Sequence, residues 1–111
     1  MEYSVEAASQ YLGKRVIVSL RHVYEDGSET YTGLWGVVES AHEDGLLLKV
    51  EGGTDELHWA IPPHLDAFVP AKHSHYQLRD SGTVVTEVDY EMYWAVAADP
   101  EHLGRRRLRG V

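Results

Sequence analysis

Apolar and polar residues alternate with a period of two over most of the chain, a pattern typical of β-strands with one face in a core. The clearest case is residues 29–50, where two apolar stretches flank a turn at Asp44 and Gly45. Gly33 and Gly36 lie inside the first stretch, and glycine within a strand permits a sharp bend. The pattern predicts two long strands joined by a tight turn, the first of them bent enough to pair with both neighbours.

Further strands are predicted on both sides of this pair, because short alternating stretches recur between turn residues. They fall at about 14–24, 55–61, 76–79 and 84–98. A short helix is predicted at 3–12, with Ser4 as its cap, and one helical turn at about 64–67. The fold class is therefore all-β with one short N-terminal helix and five or six antiparallel strands.

This arrangement resembles the Sm-like family of small SH3-like β-barrels, in which an N-terminal helix precedes a strongly bent antiparallel sheet. The features that carry the resemblance are the helix, the strand at 16–20, the glycine-containing strand at 33–38, the apolar strand at 46–50 and a strand that ends at Ile61. It covers about residues 3–80, and the strand at 84–98 is an addition to the family pattern. The resemblance implies a ring-forming homo-oligomer.

The sequence departs from that family at its uridine-binding residues. The chain contains no asparagine, and the place of the family's arginine-glycine pair reads Ile61-Pro62-Pro63-His64. The family pocket is therefore not present residue for residue. We expect an oligomeric binding or scaffold module whose ligand the sequence does not identify, and an RNA-binding ring is one alternative.

Length and charge limit the other possibilities. The 111 residues suit one domain, predicted at 1–103, followed by an arginine-rich tail at 104–111. The net charge is −8; without the four arginines of the tail, 6 basic residues stand against 18 acidic ones, a net charge of −12. A body this acidic repels nucleic acid. The tail arginines are candidates for binding nucleic acid or an acidic partner: Arg105, Arg106, Arg107 and Arg109.

Several chemistries are not indicated by the sequence. The chain has no cysteine, no Gly-x-Ser-x-Gly motif and no glycine-rich phosphate loop. We therefore expect no enzymatic activity and no cofactor. The start of the sequence shows no signal-peptide pattern and no apolar run approaches about 20 residues, so a cytoplasmic protein with no membrane partner is expected.

Histidine is enriched, with seven in the chain. His73 and His75 lie on the same face if this segment is a strand, and His64 precedes them, so the three are candidate metal ligands. A small histidine-based metal protein or enzyme is the other alternative function. The spacing to an acidic fourth ligand is incomplete, which favours solvated histidines.

Some predicted strands are apolar on both faces, which is typical of an interface between subunits. Candidate residues for a contact between copies, or with another partner, are Ile17, Val23, Trp35 and Tyr93. We expect the protein to self-associate.

Overall fold

The computed structural model describes residues 2–78 and 82–98. This part of the chain begins with a helix, α1 (Val5–Ala8), and a 3-10 helix (Ser9–Tyr11), and a second 3-10 helix (Leu65–Ala67) precedes β5. Its strands are β1 (Arg15–Tyr24), β2 (Glu29–His42), β3 (Gly45–Gly52), β4 (His58–Ile61), β5 (Val69–Pro70), β6 (His75–Gln77), β7 (Val84–Thr86) and β8 (Tyr90–Ala98).

Six strands form one strongly curled sheet in the order β4-β3-β2-β1-β8-β5, which has the form of a half-barrel. The remaining strands, β6 and β7, form a separate hairpin. The prediction of a small, bent all-β fold with one short helix is confirmed. Five or six antiparallel strands is too low a count, and one pairing differs in direction: β8 runs parallel to β1 over the whole of its length.

The bent strand is β2, as predicted. Its residues 29–37 pair with β1, and its residues 35–42 pair with β3. Only residues 35–37 of β2 therefore pair with both neighbours. The pairing with β3 shifts register between Trp35 and Gly36 and again after Val38. A Cβ placed on Gly36 would lie 2.1 Å from the carbonyl oxygen of Lys49. Only glycine permits this close approach of two backbones.

The helical predictions are correct in place and too long in extent. The side chain of Ser4 accepts a hydrogen bond from the backbone N–H of Ala7, which caps α1. Helical structure covers residues 5–11 rather than 3–12, and the predicted turn at 64–67 is the second 3-10 helix. No helix in the described ranges has the length and hydropathy needed to cross a bilayer.

The inner face of the half-barrel carries the main core. The rings of Tyr11 and Phe68 stack with centroids 3.9 Å apart, and Tyr90 meets both rings edge-on. Fully burying an aliphatic side chain contributes about 1.5–3 kcal/mol, so this cluster dominates stability. Its buried members are Ala8, Tyr11, Val16, Val18, Leu34, Val38, Leu46, Leu48, Ile61, Leu65, Phe68 and Met92.

A second, smaller core lies on the outer face of β1. Ile17 packs there against Leu78, Val85 and Val88, which the segment from β6 to the start of β8 supplies. The predicted strand at 84–98 is thus two strands, separated at Glu87, whose φ of 55° is left-handed. This break lets β7 pair with the hairpin while β8 pairs with β1.

Candidate functional site

A groove of about 980 Å³ opens on the outer face of the sheet, beside the β6–β7 hairpin. Its floor is built from β1 and its two neighbours, where Ser19 pairs with Gly33 on one side and with Tyr93 on the other. In the next row, Arg21 pairs with Tyr31 and with Ala95. Small side chains leave room along this floor. We call it the tyrosine groove; its lining includes Ile17, Ser19, Arg21, Tyr31, Gly33, Lys72, His73, Tyr76, Gln77, Leu78, Glu91, Tyr93 and Ala95.

Glu91 lies at the end of the tyrosine groove and is only 4% exposed. It is the one charged residue among the buried side chains of the described ranges. The hydroxyl of Tyr76 donates a hydrogen bond to Oε2 of Glu91, and the hydroxyl of Tyr93 donates to Oε1 at 2.9 Å. A buried carboxylate is costly unless it is hydrogen-bonded, and these two phenols supply the bonds.

Tyr76 also organises the segment between β5 and β6. Its oxygen accepts hydrogen bonds from the backbone N–H groups of Lys72, at 2.9 Å, and His73, at 3.3 Å. The ring of His73 meets the ring of Tyr76 edge-on, with centroids 5.4 Å apart. One phenol therefore joins this segment to Glu91 on β8.

The electrostatics keep Glu91 ionised. Burial alone raises the pKa of this carboxyl, but the hydrogen bonds from Tyr76 and Tyr93, with the charges of Lys72 and His73, outweigh it, so the pKa is lowered. Burial, and then the hydrogen bonds to Glu91, raise the pKa of both phenols. Tyr76 and Tyr93 thus keep their protons at neutral pH.

Two aromatic side chains stand on the rim. Tyr31 is 64% exposed and Tyr93 is 62% exposed. The hydroxyl of Tyr31 donates to Glu29 at 2.7 Å, and the guanidinium of Arg21 lies 3.8 Å from the same carboxylate. The rim therefore offers aromatic surface to a ligand, with charged groups held in pairs nearby.

The four predicted interface residues lie in different surroundings. Ile17 is buried in the outer core, and Trp35 packs against that core with its ring over Gly52, where a Cβ would lie 2.3 Å from the ring. Val23 is half-buried near the end of β1, while Tyr93 stands on the rim of the tyrosine groove. The apolar character of Ile17 is therefore satisfied within the chain; a contact between copies at these positions stays a prediction.

The three candidate metal ligands do not converge. β6 begins at His75, so His73 lies outside the strand on which the predicted shared face depended. His73 lines the tyrosine groove, whereas the ring of His64 contacts Trp94 at a centroid distance of 6.2 Å. In the described ranges no group of three histidine, aspartate or glutamate residues is arranged to hold a metal ion. The predicted tail residues Arg105, Arg106, Arg107 and Arg109 lie outside the described residues, as does the domain boundary at 103.

Sequence reasoning missed Glu91 and Tyr76. Glu91 was one of many carboxylates in an acidic chain, and Tyr76 was one residue of a short strand. A signal was nonetheless present: Glu91 is an acid in mid-strand, between the aromatic and apolar residues Tyr90 and Met92. Such a position indicates a carboxylate with buried partners. The partner itself, fifteen positions away, follows only from the fold.

Comparison with known proteins gives no relative: no family model, no curated protein and no solved structure matches this chain. The resemblance to the Sm-like family therefore stays a prediction.

Proposed function

We propose that this chain is a non-enzymatic binding module whose ligand occupies the tyrosine groove. The observation that carries the proposal is the buried carboxylate of Glu91, held by Tyr93 at the rim of an open groove. A titratable group with a perturbed pKa in a cleft is typical of a functional site. The exposed tyrosines Tyr31 and Tyr93 add aromatic surface of the kind that binding sites use.

The protonation states support binding rather than catalysis. A general acid or base works best with a pKa near the operating pH. In this groove the pKa of Glu91 is lowered, while those of Tyr76 and Tyr93 are raised, so each group moves away from neutrality. The groove thus favours fixed hydrogen-bonding groups over proton transfer.

The groups that line the groove also indicate the chemical character of the ligand. Tyr93 donates its only proton to Glu91, so its oxygen meets a ligand as an acceptor. The cations Arg21 and Lys72 line the groove and oppose a strongly positive ligand, and the ionised carboxylate of Glu91 opposes a strongly negative one. The groove therefore favours a neutral molecule that combines hydroxyl or amide donors with a flat or apolar surface.

The proposal is tested with amide NMR spectra recorded with and without a mixture of neutral polyols, amides and aromatic alcohols. The expected result is binding with shifts at Ser19, Gly33 and Tyr93. Tyr93→Ala, which removes the rim ring, should weaken binding at least about tenfold. Leu57→Ala is the matched control, because Leu57 is 77% exposed and outside the groove, and it should bind as the unmodified chain does. Shifts confined to another surface, or no binding by any class of probe, contradict the proposal.

A further inference from the structure

One edge of β8 has no strand partner among the described residues over most of its length. β1 pairs with β8 from Tyr90 to Ala98, but on the other side β5 pairs only with Tyr90 and Glu91. From residue 92 to residue 98, no strand in the described ranges pairs with this second edge. The backbone there presents N–H and C=O groups without sheet partners, as edge strands do.

This edge lacks the features that normally prevent strands from associating. Natural edge strands are short, or carry charges, prolines or bulges. The segment 92–98 reads Met-Tyr-Trp-Ala-Val-Ala-Ala, with no charge, proline or glycine. Tyr93 and Val96 are 62% and 42% exposed along it.

The other sheet edge and the short strand β5 are better protected. β4 has only four residues, its His58 shares a hydrogen bond of 2.8 Å with the exposed carboxylate of Glu39, and Pro62 follows it. β5 has two residues, one of which is Pro70. The open edge of β8 is therefore the place where the sheet can be extended.

We propose that two copies of this chain associate through this edge, with β8 pairing antiparallel to β8 of the second copy about a twofold axis near Ala95. Two limits favour a second copy. At the start of β8 the edge is occupied by β5, and soon after its last residue Pro100 follows, which has no backbone N–H to donate. In an antiparallel pair of β8 strands the start of one strand lies opposite the end of the other, so the paired stretch is limited in the same way at both ends. A twofold contact is self-complementary by symmetry.

The distribution of charge also favours a second copy of the chain as the partner of this edge. Each copy carries a net charge of −8, so contacts between most of their surfaces bring like charges together. The open edge carries no charge, which lets two copies meet there without that cost. A charged peptide finds no opposite charge on this edge. An overlap of residues 92–98 makes about seven backbone hydrogen bonds.

The pairing has a consequence for the tyrosine groove. Two strands that pair antiparallel in one sheet keep the same faces on the same side, so both outer faces would be continuous. Tyr93 and Ala95 line the groove and lie on β8. The two grooves would therefore lie side by side across the axis. The inference stands without the proposed function, because the edge exists whether or not the groove binds a ligand.

The first test is the native molar mass, measured by light scattering after size exclusion. Twice the 12.5 kDa of the chain is expected for the unmodified protein. Val96→Lys places two ammonium groups beside the axis, and it should weaken association at least about tenfold while circular dichroism stays unchanged. Leu57→Lys, at a residue outside the sheet, is the matched control and should remain a dimer.

A second test locates the axis. The chain has no cysteine, so Ala95→Cys introduces one unique thiol. Opposed residues in antiparallel strands have Cα atoms about 4.5–5.5 Å apart, a separation that a disulfide spans. Oxidation should link Ala95→Cys into a dimer and leave Leu57→Cys unlinked. A monomeric unmodified chain, or an assembly that persists in Val96→Lys, overturns the proposal even if the groove binds its ligand.

Discussion

Tyr76 of β6 donates a hydrogen bond to the buried carboxylate of Glu91 on β8, and this contact joins the outer hairpin to the main sheet. The same phenol accepts two backbone N–H groups from the segment before β6. Removing either member leaves a buried polar group without its partner, which costs more than a typical hydrogen bond contributes. This pair of residues therefore adds to the outer core in holding the hairpin and in shaping the tyrosine groove.

Tyr76→Phe tests this dependence. The change keeps the ring and removes the donor to Glu91, so the free energy of unfolding should fall by about 1–3 kcal/mol. Urea denaturation followed by tryptophan fluorescence measures the loss. Tyr31→Phe is the control, because that phenol bonds an exposed carboxylate, and it should change stability by less than about 0.5 kcal/mol. Equal losses of unfolding free energy in the two variants would show that the buried hydrogen bond of Tyr76 contributes no more to stability than the exposed one of Tyr31.

The pKa of Glu91 predicts how stability depends on pH. The pKa of Glu91 is lower in the folded chain than the 4.5 of an unperturbed glutamate, so the folded state favours the ionised form. The resulting stabilisation is complete above pH 4.5 and is lost as the pH falls through the lower, folded-state pKa.

Glu91→Gln isolates this contribution, since the amide does not titrate. The unmodified chain should be more stable than Glu91→Gln at pH 7, and the difference should narrow towards pH 3. Urea denaturation of both proteins across this range measures it. A difference that stays constant with pH contradicts the lowered pKa.

Gly36 should tolerate no side chain. A Cβ at this position would lie 2.1 Å from the carbonyl oxygen of Lys49, and backbone cannot move aside as a side-chain tip does. Gly36→Ala should reduce the free energy of unfolding by about 2–4 kcal/mol. At Gly33 the nearest atom is Cδ2 of Leu78, at 2.9 Å, so Gly33→Ala should cost less in the same thermal and urea unfolding experiments. A larger loss at Gly33 would contradict the proposed cause of the bend.

Arg15 binds Glu51 through two bonds, Nε to Oε1 at 2.9 Å and Nη2 to Oε2 at 3.1 Å. Lysine cannot reproduce this paired geometry. Arg15→Lys should lower stability by about 1 kcal/mol, and less at high salt, because both side chains are partly exposed. Arg21→Lys is the control, since Arg21 makes only a 3.8 Å contact with Glu29 and should change little. The two variants are compared by urea denaturation at low and high salt.

The local features of the fold could be predicted from the sequence. The alternation in β1, the bend in β2 and the turn at Asp44 each depend on residues close together in the chain. Ser4 as a helix cap is equally local. The predicted bounds of the helix were wrong, and so was the prediction of one continuous strand at 84–98. The break in that strand lies at Glu87, and a left-handed conformation is not one that glutamate favours by itself.

The candidate site could not be predicted in the same way. Of the residues that line the groove, Ile17, His73 and Tyr93 were among the predicted positions, and none of them was predicted for its contact there. Glu91 acquires its properties from burial and from Tyr76, and both depend on how the hairpin folds over β1. Composition alone does not distinguish this carboxylate from the other acidic residues.

The sequence by itself determined a small all-β chain with a bent central strand, because period-two patterning, turn residues and glycine act over a few neighbouring positions. Only the tertiary structure decided that β8 lies parallel to β1, that the β6–β7 hairpin covers Ile17, and that Glu91 is buried. These arrangements join residues far apart in the chain, such as the backbone N–H of Arg15 and the carboxylate of Asp89. Local preferences do not select among such long-range pairings; the combined burial of both cores does.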